Sequence, residues 1–343
     1  MKEQADEPRV TVFSLGGTIA STHTGTAGAT SGVTPQLGAS ELVQSVPRLR
    51  EIAQLETVAF RQVPSSDLSL TDVIALAAEI VKRFDAGATG VVVTQGTDTI
   101  EETSFALDLL VRDARPVVVT GAMRNPTLAG PDGPANLLAA VQVAASGEAA
   151  GLGTLVVFND EIHAARFVRK THTSSPATFH SPSAGPLGWI AEGRPRIAFR
   201  LPALEGTPSS AGGDVPAVAL LKVTLGDDSR LIAQIEALGY AGVVVEGFGG
   251  GHVPARVAPS LGDLATRIPV VLASRTGSGE VLRETYGFAG SERDLLSRGL
   301  ISAGVLDGLK ARILLSLLLR VDGDLEGVRQ RFERVSASIY AKD

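Results

Sequence analysis

The sequence predicts an α/β protein of two domains, each built around a parallel sheet. Short runs of β-branched residues, typical of buried strands, alternate with segments whose apolar residues recur at helical spacing. A stretch rich in Pro, Gly and Ser interrupts this alternation, and 343 residues exceed the usual size of one domain. We therefore expect a larger domain at 1–202, a linker at 203–215 and a smaller domain at 216–343.

The elements of the first domain are predicted in chain order. Apolar and β-branched runs indicate strands at 9–15, 55–63, 91–94, 116–120 and 154–158. Helical spacing of apolar residues, or a capping pattern before them, indicates helices at 40–46, 70–84, 99–111 and 132–143. The polar segment 167–183 breaks the alternation, and we expect a hairpin or loop there.

The second domain repeats the alternation more compactly. Strands are expected at 217–222, 242–245 and 270–273, and helices at 230–238, 307–319 and 325–332. Strands that alternate with helices imply right-handed crossovers, and hence parallel sheets, in both domains.

Composition excludes several classes of function. A net charge of −6 without a long basic run argues against nucleic acid as a partner. No apolar run is long enough to cross a bilayer, and the charged N-terminus lacks the apolar core of a secretory signal, so we expect a cytoplasmic protein. The absence of cysteine and the scattering of five histidines argue against thiol chemistry and a metal site.

The chemistry-bearing residues follow predicted strands. Gln95, Gly96, Thr97 and Asp98 come directly after the strand at 91–94, at the strand end where ligands bind in open α/β sheets. Thr and Asp are also good helix caps, so this stretch alone leaves a cap and an active site equally open.

Two further strand ends carry hydroxyl groups. Gly16, Gly17 and Thr18 follow the first strand, and a cluster containing Ser65 and Ser66 follows the second. The segment 21–35 is rich in Ser, Thr, Gly and Ala, and we expect it to form a lid over an active site.

Seven segments together resemble the bacterial-type L-asparaginases, amidohydrolases that use an N-terminal threonine motif. They are Ser14-Leu-Gly-Gly-Thr-Ile-Ala20, Val93-Thr-Gln-Gly-Thr-Asp-Thr-Ile-Glu-Glu-Thr103, Gly121-Ala-Met-Arg124 with Asp132-Gly-Pro134, Val168-Arg-Lys-Thr171, Gly185-Pro-Leu-Gly188 and Tyr286-Gly-Phe288. The resemblance implies a flavodoxin-like or Rossmann-like C-terminal domain and a homotetramer built as a dimer of intimate dimers. It also implies hydrolysis of L-asparagine to aspartate and ammonia, with no metal or organic cofactor.

The resemblance also implies the catalytic residues. Thr18 matches the first catalytic threonine, usually assigned as the nucleophile. Thr97, Asp98 and Lys170 match the second threonine and its partners. Since a threonine hydroxyl needs an adjacent base and no Cys or His accompanies either motif, Lys170 is the available base.

The substrate-binding residues are carried over in the same way. Ser65, or its neighbour Ser66, matches the serine that holds the α-carboxylate of the substrate. Glu280 matches the acidic residue that reaches into the site of a neighbouring subunit and meets the α-amino group of the substrate. Asp98 is a second candidate carboxylate for the same α-amino group. The turns after Gly17 and Gly96 could supply backbone N–H groups to an oxyanion.

Two departures from the family pattern leave alternatives open. No Tyr lies in 21–35, where better-known members carry one, and Gly250 stands where many members have Asn. Ser31 and Thr34 are candidates to replace the missing hydroxyl group of the lid, and the change at position 250 leaves the preference for asparagine or glutamine open. The choice between an acyl-threonine and direct attack by water is open as well, because sequence alone does not decide it. A glutaminase-asparaginase of broader specificity, a non-catalytic amino-acid-binding protein and an ammonia-supplying amidotransferase subunit are the competing hypotheses.

Overall fold

The computed structural model describes residues 7–23, 33–35, 38–202, 204–205, 214–321 and 324–340. Contacts within the chain divide it into two compact units, with the division after residue 203. Residues 24–32 of the expected lid, and most of the expected linker, lie outside the described residues.

The first unit contains a mixed sheet of eight described strands, in the order β12-β11-β8-β7-β6-β5-β1-β4. Its strands are β1 Arg9–Ser14, β2 Ser21–His23, β3 Val33–Pro35, β4 Gln54–Ala59, β5 Gly90–Thr94, β6 Val117–Thr120, β7 Thr154–Phe158, β8 Glu161–Ala164, β9 Arg169–Lys170, β10 Phe179–His180, β11 Gly188–Ala191 and β12 Arg194–Ile197. Its helices are α1 Ala39–Gln44, α2 Leu70–Asp85, α3 Ile100–Leu110 and α4 Gly133–Ala144.

The sheet is mixed, and the prediction of a parallel sheet holds for five of its eight described strands. The five predicted strands are present and run parallel as β4, β1, β5, β6 and β7. Strands β8, β11 and β12 extend the sheet in antiparallel fashion. Strands β11 and β12 were not predicted because they are short and only partly buried, so their sequence lacks a continuous apolar run. Strand β8 was not predicted because it has only four residues, Glu161–Ala164, two of them polar.

The core of the first unit follows from the sequence of its central strands. Every residue of β5, β6 and β7 is buried, as expected for a strand covered on both faces. Helices α3 and α4 contact β6 and β7 and are themselves buried along most of their length. The carboxyl ends of β4, β1 and β5 therefore meet side by side at one edge of a rigid sheet.

The second unit is built on a four-stranded parallel sheet in the order β13-β14-β15-β16. Its elements are β13 Val218–Lys222, β14 Gly242–Gly247, α5 Ala258–Ala265, β15 Val270–Ser274, α6 Glu292–Ser297, β16 Ile301–Ser302, α7 Gly308–Leu319 and α8 Leu325–Ala337. No described helix of either unit is long and apolar enough to cross a membrane.

The prediction of a helix at 230–238 is wrong. Only a 3-10 turn, Ile232–Gln234, forms there. Ile232 and Ile235 are buried, but Leu231 and Leu238 are about two-thirds exposed (66% and 67%), so the apolar pattern that suggested a helix is not buried on one face. Helices α5 and α6 were not predicted at all.

A buried histidine makes the stability of the first unit depend on pH. His163 on β8 is 1% exposed, and its Nδ1 lies 3.0 Å from Ser181 Oγ. Burial, aided by the nearby His180, lowers the pKa of His163 from 6.5 to about 4. Glu161 Oε2 lies 3.2 Å from Nε2, but Nε2 makes no hydrogen bond to the described residues, and this carboxylate is 42% exposed. Solvent therefore screens it, and burial decides the direction.

We expect the unfolding free energy to fall as the pH decreases from 6.5 to 4. In that window the unfolded chain binds a proton at His163 and the folded chain does not. The loss should total about 3 kcal/mol at this site. Urea denaturation of the wild type and of His163→Gln at several pH values measures it. A stability difference between the two proteins that does not change with pH would contradict the prediction.

Candidate active site

The two threonine motifs touch through their backbones. Gly17 has a φ of +83°, and a Cβ atom on it would lie 2.0 Å from the backbone nitrogen of Gly96. A side chain at Gly17 is therefore excluded both by its left-handed conformation and by the space. This close approach places Thr18 and Thr97, the next residue of each motif, at the same edge of the sheet.

The turn after β4 joins this contact from the other side. A Cβ atom on Gly96 would lie 2.6 Å from Ser65 Oγ, and Thr99 Oγ1 donates a hydrogen bond of 3.2 Å to the Ser65 carbonyl. Ser65 is 4% exposed and lines the cavity described below. Ser66 is exposed, and its hydroxyl lies 3.4 Å from Asp67 Oδ1. Of the two candidate serines, the structure brings Ser65 to the cavity.

Lys170 reaches the second threonine motif from a hairpin. It lies on β9, which pairs with β10 in antiparallel fashion. Its Nζ donates to Thr97 Oγ1 at 2.9 Å and to Asp98 Oδ1 at 2.5 Å. The Lys170 side chain is 15% exposed and that of Asp98 is 70% exposed. A half-exposed pair of this kind adds little stability, but it fixes the ammonium group beside the Thr97 hydroxyl.

A polar cavity of about 260 Å³ connects these groups. Such a volume suits a small metabolite. Its lining brings together the predicted Gly17, Thr18, Ser65, Gly96, Thr97, Asp98 and Lys170. It also includes Pro64, Met123 and Thr173, which we did not predict as site residues. Met123 lies in the segment Gly121-Ala-Met-Arg124, and Thr173 follows Lys170 by three residues. Nothing in the sequence indicated that either residue would line the cavity.

The second unit holds the remaining predicted residue. Glu280 is exposed on the loop after β15. Burial, aided by the Glu280 carboxylate, raises the pKa of Tyr340 above its ordinary value of 10. Leu282, two residues after Glu280, packs against Gly250, where an added Cβ atom would lie 2.6 Å from Leu282 Cδ1. An Asn at position 250 would therefore require the Leu282 side chain to move.

A buried carboxylate fixes the loop beyond Glu280. Glu292 Oε1 accepts hydrogen bonds from the backbone nitrogens of Thr285 and Tyr286 at 2.9 and 2.7 Å. Its Oε2 lies 3.2 Å from His252 Nε2. Although burial acts in the opposite direction, these backbone bonds and the nearby His252 hold the pKa of Glu292 below its ordinary value. Neither Glu292 nor this role of His252 was predicted.

Substitution of Gly17 tests the backbone contact. Gly17→Ala forces a Cβ atom against the Gly96 backbone in a left-handed conformation, and we expect the unfolding free energy to fall by about 3 kcal/mol or more. Gly147→Ala is the matched control, since a Cβ there meets no atom within 4 Å. Urea denaturation compares the two. Equal stability of Gly17→Ala and the control would show that the contact is absent.

Known proteins are similar to this chain in sequence and in fold over nearly its whole length. The family model "Asparaginase, N-terminal" matches residues 9–202, and "Glutaminase/Asparaginase C-terminal domain" matches residues 217–332. An L-asparaginase of Bacillus licheniformis is 36% identical over 330 residues, which cover 94% of this chain and 98% of that protein. A probable periplasmic L-asparaginase of Haemophilus influenzae is 34% identical, covering 96% and 93%.

A solved structure agrees with these matches. The crystal structure of a probable cytoplasmic L-asparaginase from Campylobacter jejuni superimposes with a TM-score of 0.86 at 32% identity, covering 96% of this chain and all of that one. Identity at this level over nearly the full length of both chains shows common descent as well as a common fold. The chain is an amidohydrolase that belongs to the asparaginase family.

Proposed function

We propose that the protein hydrolyses the side-chain amide of L-asparagine, giving L-aspartate and ammonia. One observation carries the proposal: Lys170 Nζ bonds both Thr97 Oγ1 and Asp98 Oδ1 in a cavity that Thr18 also lines. Two hydroxyl groups, a cation and a carboxylate thus surround a space of the size of one small amino acid.

The proposed chemistry follows from the poor nucleophilicity of a hydroxyl group at neutral pH. Thr18 Oγ1 attacks the amide carbon, and Thr97 with Lys170 takes the hydroxyl proton and passes it to the amide nitrogen, so that the C–N bond breaks and ammonia leaves. Water then hydrolyses the resulting acyl-threonine ester, which releases L-aspartate and restores the Thr18 hydroxyl. Among the described residues that line the cavity, Lys170 and Asp98 alone carry ionisable side chains. Lys170 must lose its proton to act as a base, while Asp98 holds its amino group beside Thr97.

Substrate recognition uses Ser65, backbone N–H groups of the cavity and a second interaction of Asp98. The α-carboxylate takes hydrogen bonds from the Ser65 hydroxyl and from backbone N–H groups, and the α-ammonium group pairs with Asp98. Charge that develops on the amide oxygen is stabilised by N–H groups of the turns after Gly17 and Gly96. The contact between these two glycines supports this assignment, because it holds both turns rigidly before substrate arrives.

Ammonia release is the direct test of the proposal. Purified protein is incubated with L-asparagine and, separately, with L-glutamine, and Thr18→Ala serves as the blank. We expect the wild type to release ammonia from L-asparagine. The rate of ammonia release by Thr18→Ala should be lower by about a hundredfold or more. The glutamine rate distinguishes a strict asparaginase from a glutaminase-asparaginase. A folded protein that binds L-aspartate without releasing ammonia would instead be a non-catalytic binding protein.

The role of Lys170 is tested by Lys170→Met, which keeps the length of the side chain and removes its nitrogen. Turnover should fall on the order of a hundredfold or more. Lys82→Met is a matched control, since Lys82 lies on α2 with its side chain 67% exposed. A Lys170→Met turnover close to that of the control would refute the assigned role.

We also propose that the protein is a homotetramer in which Glu280 completes the site of a neighbouring subunit. The proposal rests on the family to which the chain belongs and on the exposure of Glu280. Mixed oligomers of Thr18→Ala and Glu280→Ala subunits, each inactive alone, should recover activity, because some sites then receive both intact groups. Mixed oligomers that are verified by mass and remain inactive would exclude a shared site.

The cytoplasmic location stays a prediction. The names of similar proteins include both a periplasmic and a cytoplasmic L-asparaginase. Fractionation of the source cells, with ammonia release from L-asparagine as the assay, would decide between the two.

A further inference from the structure

The turn between β9 and β10 is held by one buried hydroxyl group. Thr178 is fully buried, and its Oγ1 accepts from the backbone nitrogen of His172 at 2.9 Å and donates to the His172 carbonyl at 2.6 Å. The backbone nitrogen of Thr171 donates to the Thr178 carbonyl at 2.8 Å. The main chain of His172 is therefore fixed from both sides.

The His172 ring fixes the residues that follow. Its Nδ1 lies 3.0 Å from the backbone nitrogens of both Ser174 and Ser175 and accepts from both. A ring nitrogen that accepts carries no proton, so these two bonds assign the tautomer with hydrogen on Nε2. Thr173 lies between the two sets of bonds, and its position is thus determined by His172 on one side and by the Ser174–Ser175 backbone on the other.

Thr173 faces the candidate active site. It lines the cavity together with Thr97, Asp98 and Lys170, and it is exposed, which places it at the mouth. Its hydroxyl makes no hydrogen bond to any other described residue of the chain, so it is available to a molecule in the cavity.

We propose that the Thr173 hydroxyl binds the amino-acid substrate and that His172 is the positioning residue that holds it at the cavity mouth. This inference rests on the function proposed above. It adds a substrate contact to the predicted set and gives a role to a histidine that the catalytic mechanism does not use.

The hairpin does not depend on His172 for its existence. Lys170 and Phe179 pair across β9 and β10, and Phe179 is buried with its ring 4.8 Å from that of Phe158. Lys170 is held separately by its bonds to Thr97 and Asp98. Loss of the His172 ring should therefore displace Thr173 and leave both the fold and the Lys170 amino group in place.

Four variants of the full-length protein test the proposal: His172→Ala, His172→Asn, Thr173→Val and the double variant His172→Ala/Thr173→Val. Loss of one hydrogen bond to substrate corresponds to about a tenfold rise in KM for L-asparagine, which we expect for His172→Ala and Thr173→Val. We expect kcat to change by less than about twofold, because substrate binding is affected and the transition-state contacts are not. His172→Asn keeps an acceptor near the position of Nδ1 and should stay within about twofold of the wild type.

The double variant separates positioning from general damage. If both residues act through the Thr173 hydroxyl, its KM equals that of each single variant, whereas independent effects multiply. His180→Ala, an exposed histidine of the same hairpin, is the control and should leave KM unchanged. Multiplied effects, a normal KM in Thr173→Val, or a His172→Asn as impaired as His172→Ala would each overturn the proposal. A fall in kcat alone would show that His172 acts through Lys170 instead, which also overturns it.

A direct binding measurement keeps this test independent of turnover. Calorimetric titration with L-aspartate should give a dissociation constant about tenfold higher for His172→Ala and Thr173→Val, and near wild type for His172→Asn. If the wild type releases no ammonia, the proposed function fails, and this pattern of dissociation constants still supports or refutes the role of the turn. If His172→Ala does not fold, Thr173→Val and His172→Asn still decide the matter.

Discussion

The backbone contact between Gly17 and Gly96 is the constraint on which the site depends. Because a Cβ atom at Gly17 would lie 2.0 Å from the Gly96 nitrogen, the two turns can approach this closely only if position 17 has no side chain, and a Cβ atom on Gly96 would instead meet Ser65 Oγ at 2.6 Å. The approach also requires β1 and β5 to be neighbours in register, with Ser14 beside Thr94, so that both strands end at one level. Sheet order, strand length and two glycines thus act together to bring Thr18 and Thr97 into one cavity.

The charged part of the site has a different origin. Lys170 comes from a short hairpin that follows the antiparallel strand β8, so the amino group approaches the threonine motifs from outside the parallel strands. Its partner Asp98 is 70% exposed, and an ion pair so close to water contributes little to the folding free energy. The pair is better understood as a device for orientation, since it fixes a flexible side chain at 2.9 Å from Thr97 Oγ1.

The apolar runs predicted the buried central strands, and the resemblance to a family predicted Thr18, Thr97, Asp98 and Lys170, which line the cavity. The end of the second strand was placed at residue 63, whereas β4 ends at Ala59. The misses share a physical cause. Strands β11 and β12, helices α5 and α6, and the failed helix at 230–238 depend on which apolar residues the tertiary structure buries, and spacing alone does not reveal this. Thr173 was missed because its place at the cavity follows from hydrogen bonds of His172 and Thr178 within an otherwise ordinary polar turn.

The hairpin formed by β9 and β10 carries two residues with different proposed roles, proton transfer for Lys170 and substrate binding for Thr173. Lys170 lies in the paired strand β9 and is tied to Thr97 and Asp98, whereas Thr173 lies in the turn and is tied to His172. These two sets of bonds have no residue in common, so loss of the His172 bonds removes neither bond of the Lys170 amino group. The proposed substrate contact of Thr173 can therefore be removed by substitution while Lys170 keeps its bonds to Thr97 and Asp98, which is why the two roles can be tested separately.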